Sequence, residues 1–140
     1  MTTSAAQDKL RKPLSLLATD PRGNIVICAQ SVWDGHIAKY HPEMKGRIGD
    51  IESALVDPDA IRQSKARPNA EIFEWIAADT MQIRVAVTFD VIALAPHGQT
   101  MGKVNSAYPV DPIEYDTPNV GNYIYLRAAT SRNSPQEREP

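Results

Sequence analysis

Cysteine is almost missing from this chain: among its 140 residues Cys28 is the only one. That excludes an internal disulfide and any metal cage built from several thiolates. Cys28 lies in the apolar run Ile25-Val26-Ile27-Cys28-Ala29, a setting that reads as a buried, inert thiol rather than a nucleophile. Long apolar runs are missing as well, since none approaches the roughly 20 residues needed to cross a bilayer. The leading MTTSAAQDKLRKP lacks the apolar block of a secretory signal, so the expectation is a cytoplasmic protein with no membrane partner. Charge of one sign is also scarce. A net charge of -2 gives no global attraction to nucleic acid and leaves only a local basic patch as an electrostatic route to it. No P-loop, GxGxxG, GxSxG or HExxH pattern occurs, Gly46 and Gly49 do not make a phosphate loop, and no internal repeat is found.

What is present suits one soluble domain of ordinary core size, with 42% hydrophobic and 23% charged residues. The expected limits are a flexible N-terminus over 1–12, one domain over 13–128 and a disordered tail over 129–140 that ends in SRNSPQEREP. Two short apolar runs, Leu14 to Ala18 and Ile25 to Ala29, flank Asp20-Pro21-Arg22-Gly23-Asn24, which carries the residues of a tight turn and predicts a β-hairpin. Ser31 reads as an N-cap, with Asp34 in the first turn of a helix marked by Trp33, Ile37 and Tyr40 and ended by Pro42. Met44, Ile48, Ile51 and Leu55 form a second apolar stripe at helical spacing, stopped by Asp57-Pro58.

Residues 58–64 read as a helical turn and a loop. From Glu71 onward the signature is that of strands: Ile72, Phe73, Trp75 and Ile76, then Met81 to Phe89, with Ala78-Asp79-Thr80 as the connection. Pro96-His97-Gly98-Gln99 reads as a turn, Gly102 to Val110 as another strand, and Asn122 to Arg127 as an edge strand or short helix. The order ββααβββ predicts an α+β fold, a hairpin and two helices packed on an antiparallel sheet.

The stretch 31–67 gathers most of the chemistry, with two of the three histidines and six of the fifteen Lys and Arg residues. His36 and His41 are five apart, which on an α-helix sets them about 140° apart around the axis. That is unlike the i, i+4 pair that grips zinc, and no metal site and no cofactor is expected. Their imidazoles are instead candidate proton carriers near neutral pH; the alternative is a partly buried helix residue and a capping residue. The cations Lys39, Arg62, Lys65 and Arg67 flank the region. With Ser64, Ser106 and Tyr108 they supply the charge and hydrogen bonds that phosphodiester chemistry needs, although charged residues also simply solvate a surface.

Trp33-x-x-His36-Ile37-x-x-x-His41-Pro42-Glu43, an apolar helix, then Pro58-Asp59-x-Ile61-x-x-Ser64 resembles the phage-associated branch of the barnase–EndoU–colicin–RelE-like nucleases. In that branch an aromatic strand follows, and a late strand ends in a Thr/Ser-Ala-Tyr-like element. Ile72-Phe73-Glu74-Trp75 and Ser106-Ala107-Tyr108-Pro109 stand in those places. The resemblance spans roughly residues 30 to 110. It implies a barnase- or RelE-like fold and a metal-independent endoribonuclease, phage- or toxin-related, in which the ribose 2′-hydroxyl attacks the adjacent phosphate. Carried over by position, His36, His41 and Ser64 match the motif, Ser106 and Tyr108 stand in the late element, and Lys39 sits where a basic residue often precedes the second histidine. His36, His41, Ser64 and Tyr108 are then the expected catalytic set, and Lys39 and Ser106, joined by Arg62 from the basic cluster, the expected substrate-binding set. RNA and a cognate inhibitor or antitoxin protein become the expected partners. The alternative function is a non-catalytic RNA- or protein-binding module that retains the fold.

Overall fold

The computed structural model describes residues 14–91, 100–110 and 120–127. The expected N-terminal arm over 1–12, the turn at 96–99 and the tail over 129–140 lie outside the described residues. The fold is α+β, with a seven-stranded mixed sheet in the order β1-β2-β6-β5-β4-β3-β7. The strands are β1 (Leu14–Thr19), β2 (Ile25–Ala29), β3 (Ala60–Ser64), β4 (Ala70–Ile76), β5 (Gln82–Val91), β6 (Thr100–Val110) and β7 (Val120–Leu126).

The hairpin, the strand pair on either side of Ala78-Asp79-Thr80 and the late strand fall where the apolar patterning places them. Asn122 to Leu126 belongs to β7, a strand at the sheet edge, and Arg127 follows its end. Three expectations for the sheet and the start of the first helix are corrected. The sheet is not purely antiparallel, because β2 runs parallel to β6. Residues 58–64 are not a helical turn and loop, since Ala60–Ser64 is a strand. Its polar composition hides it from propensity. What makes it a strand is its place in the ladder, hydrogen-bonded to β4 on one side and β7 on the other, with Ile61 fully buried opposite Phe73. Ser31 is not an N-cap, because β2 runs into the helix at Gln30 with Ala29 in the capping position. The first turn is tied down by the Gln30 side chain instead, which accepts from the Ser15 hydroxyl and donates to Asp34.

The helical layer has two parts. Helix α1 is one run over residues 30–40, in which Gln30–Val32 and Ala38–Tyr40 are α-helical and Trp33–Ile37 is wound as a π-helix. A 3₁₀ turn, Pro42–Met44, follows it, and helix α2 spans Ile48–Val56. The apolar stripe faces the core, with Met44, Ile51 and Leu55 fully buried and Ile48 packed against them. The stripe is not one helix, because Gly46 turns the chain at φ +79° between Met44 and α2.

Cross-strand register sorts the sheet into two faces. Ile61, Phe73, Val85 and Ala107 stand opposite one another in neighbouring strands and form the buried face under the helices. Their sequence neighbours Arg62, Ile72, Ala86 and Ser106 share the other face. The hairpin curls over the core so that α2 touches β1 as well as β4 and β5. Arg22 in its turn bonds Asp20 and Glu71 and lies over the rings of Phe73 and Phe89. Because β2 pairs only with Met101 to Lys103, the later half of β6 has α1 and the 3₁₀ turn beside it rather than another strand.

Candidate active site

That docking brings the two histidines to the sheet. His36 belongs to the π-wound stretch, and His41 follows the last α-helical residue with an extended φ of -130°. An α-helix would separate them widely around its axis. The π turn adds a residue to the loop between bonded groups, and the helix stops before His41, so the two rings meet at 6.2 Å between centroids. The His41 ring lies 5.7 Å from that of Tyr108 on β6, and the His36 ring 5.4 Å from that of Tyr40.

A cleft of about 280 Å³ opens here on the face of the sheet away from the core. His36, Ser64, Arg67, Asn105, Ser106 and Tyr108 line it over a floor of Ala70, Ile72 and Ala86. Each strand delivers its side chain through register. Ser106 stands opposite Ala86, and Ala86 opposite Ile72. Asn105 enters because β6 is bulged: its pairing with β5 shifts between Ala86 and Val87, which leaves Asn105 as the extra residue. The Asn105 amide donates to the Thr88 hydroxyl. At the end of β3 the buried Ser64 oxygen accepts from the backbone N–H groups of Ala66 and Arg67, at 3.1 and 3.3 Å. The same turn that orients Ser64 therefore presents the exposed Arg67 at the rim.

Next to Tyr108 in the sheet stands Arg84, 3% exposed and bonded through Nε to Glu74 at 2.9 Å. Arg62 approaches the same carboxylate at 3.9 Å. Glu74 is thus held between two guanidinium groups and does not face the cleft as a lone negative charge. Burial pushes the Tyr108 phenol above its ordinary value; Arg84 works against this shift and Glu74 adds to it. The phenol is consequently a hydrogen-bond donor through neutral and mildly alkaline pH.

Of the residues singled out in the sequence, His36, Ser64, Ser106 and Tyr108 line one cleft, and His41 packs on Tyr108 at its side. Lys39 and Arg62 do not line it. The Lys39 ammonium lies over the Tyr40 ring at 5.3 Å, and the Arg62 guanidinium over Tyr123 at 4.6 Å while its Nε donates to the Gly121 carbonyl. Arg67 is the member of that basic group that reaches the cleft. Asn105 and the Arg84–Glu74 pair had no local signal, because a bulge and a cross-strand partner exist only once the sheet has formed. Among the described residues no group of three or more His, Cys, Asp or Glu is placed to hold a metal ion, and no helix is long and apolar enough to cross a membrane.

The arrangement sets one imidazole, three hydroxyls and one guanidinium around an open groove, with the second imidazole, His41, against Tyr108 at its side. No family model, curated protein or solved structure matches the chain. Fold and site together define an α+β domain with a histidine-, hydroxyl- and arginine-lined cleft on the open face of a mixed sheet.

Proposed function

We propose that the chain is a metal-independent endoribonuclease that cleaves RNA by transesterification from the ribose 2′-hydroxyl. The observation that carries this reading is the grouping of His36, Ser64, Ser106 and Tyr108 around one cleft, with His41 against Tyr108. In-line displacement at phosphorus needs a proton acceptor on one side of the phosphate and a donor on the other, and two imidazoles 6.2 Å apart can flank such a group. One takes the proton of the 2′-hydroxyl as its oxygen bonds to phosphorus. The other gives a proton to the 5′-oxygen as the P–O bond breaks, leaving a 2′,3′-cyclic phosphate and a 5′-hydroxyl. The Tyr108 phenol and the Ser64 and Ser106 hydroxyls donate to the non-bridging oxygens, and Arg67 offsets the extra negative charge of the phosphorane.

The test is to make His36→Ala and His41→Ala separately and assay both on a mixed RNA pool, with folding checked by circular dichroism. At least one variant loses about a hundredfold or more in rate while remaining folded, and wild-type cleavage survives EDTA. Cleavage abolished by EDTA and restored by zinc or manganese refutes the mechanism. Wild-type protein that cuts no RNA, or two variants that cut as well as wild type, leaves the non-catalytic binding module as the reading.

A further inference from the structure

A second cavity, of about 130 Å³, lies on the same face of the sheet as the cleft. Three cross-strand rows connect them. Ile72, Ala86 and Ser106 lie in the cleft row, Glu74, Arg84 and Tyr108 form the next, and Ile76, Gln82 and Val110 lie in the cavity row. Successive rows are two residues apart, about 7 Å along a strand. A chain leaving the cleft along β4 to β6 therefore crosses the Glu74–Arg84 pair and arrives at the cavity.

The cavity differs in chemistry from the cleft. Ile76, Val110 and Leu126 give it apolar walls, and its charged lining is the mutually bonded Glu74–Arg84 pair with Asp59, which is ion-paired to Arg127, so it offers little to a phosphate. It is well below the several hundred Å³ of a typical drug-sized site, which suits a single flat ring. Tyr123, 52% exposed, lines it and is backed by the Arg62 guanidinium at 4.6 Å, which is itself fixed to the Gly121 carbonyl. A braced aromatic ring beside a basic cleft is the platform on which unpaired bases stack. The Gln82 side chain at the cavity row has both a donor and an acceptor for the edge of such a base.

We propose that this cavity receives a base of the RNA strand whose phosphate occupies the cleft, with Tyr123 as its stacking partner and Gln82 reading its edge. The inference rests on the nuclease reading for the identity of the strand but not for the binding itself.

The experiment is calorimetric titration of the full chain with a 2′-O-methyl trinucleotide, which lacks the attacking hydroxyl, and with the same trinucleotide carrying an abasic site. The abasic ligand binds about tenfold or more weakly. Tyr123→Ala weakens the base-containing ligand by a similar factor and leaves the abasic one unchanged, whereas Tyr123→Trp, which keeps the stacking surface, retains binding. Gln82→Leu changes the ranking of the four bases. Equal affinity for the abasic and complete trinucleotides, or no measurable binding of either, overturns the proposal; the comparison is made on wild-type protein, so it stands even where a variant fails to fold. Cleavage of RNA without dependence on the base overturns this inference alone. Base-dependent binding by a chain that cleaves no RNA overturns the nuclease mechanism alone.

Discussion

At the scale of single residues, burial decides which groups are chemically available. Cys28, on the hairpin strand β2, is fully buried, and burial pushes its thiol from the ordinary 9.0 up to about 11. A raised folded-state value means that native and unfolded chains hold the proton equally below pH 9, and that only the unfolded chain releases it between 9 and 11. Stability contributed by the neutral thiol is therefore intact below pH 9 and is lost as pH rises toward 11, by up to about 2–3 kcal/mol. Urea unfolding measured across this range should show that slope, and Cys28→Ala should flatten it. A wild-type slope identical to that of the variant would place the thiol in a solvated setting. Tyr108 is shifted the same way for the same reason. Its consequence is functional, since a phenol that keeps its proton stays a donor toward phosphate.

At the scale of elements, the helical layer does two jobs with different faces. Its inner face is the apolar stripe, in which Ile51 is fully buried and belongs to the core cluster. Ile51→Ala should cost about 2–4 kcal/mol, read from denaturant unfolding, and a loss below about 0.5 kcal/mol would mean that the face is misassigned. The outer side of the layer carries His36 and His41. Their approach depends on the π-wound stretch Trp33–Ile37 and on the helix ending before His41. Inserted turns of this kind are frequent at functional sites, because they re-aim side chains that a regular helix would spread apart. The bulge at Asn105 does the same for β6. Both irregularities face the same cleft.

At the scale of the whole molecule, the hairpin turn is tied to the strands across the core. Arg22 makes that tie. It bonds the buried Asp20 at 2.7 Å and Glu71 on β4 at 2.7 Å, and it covers the Phe73 and Phe89 rings. Asp20 also accepts from the backbone of Arg22 and Asn24, which fixes the turn. Removing the guanidinium by Arg22→Met keeps part of the stem's packing but leaves the buried Asp20 carboxylate without its cation. The expected cost is about 1–3 kcal/mol in urea unfolding, and a double variant with Glu71→Gln should be less than additive because the two share one interaction. Full additivity would show that the tie contributes nothing across the sheet.

The sequence by itself determined the local alternations: the hairpin with its turn at Asp20 to Asn24, the apolar stripe through Ile51 and Leu55, and the strands read at Glu71 to Ile76 and Met81 to Phe89. These are periodic signals, set by neighbours a few residues apart. It also marked His36, His41, Ser64, Ser106 and Tyr108 as chemistry worth placing. Tertiary structure alone decided the rest. Ala60–Ser64 is a strand because β4 and β7 bond it on both sides, and β2 lies parallel to β6 because the hairpin docks there. Glu74 lies between Arg62 and Arg84 because β3 and β5 are its neighbours on either side. Arg67 rather than Lys39 reaches the cleft because the turn after Ser64 carries it there. Each of these depends on contacts between residues far apart in the chain, which no window of local sequence contains.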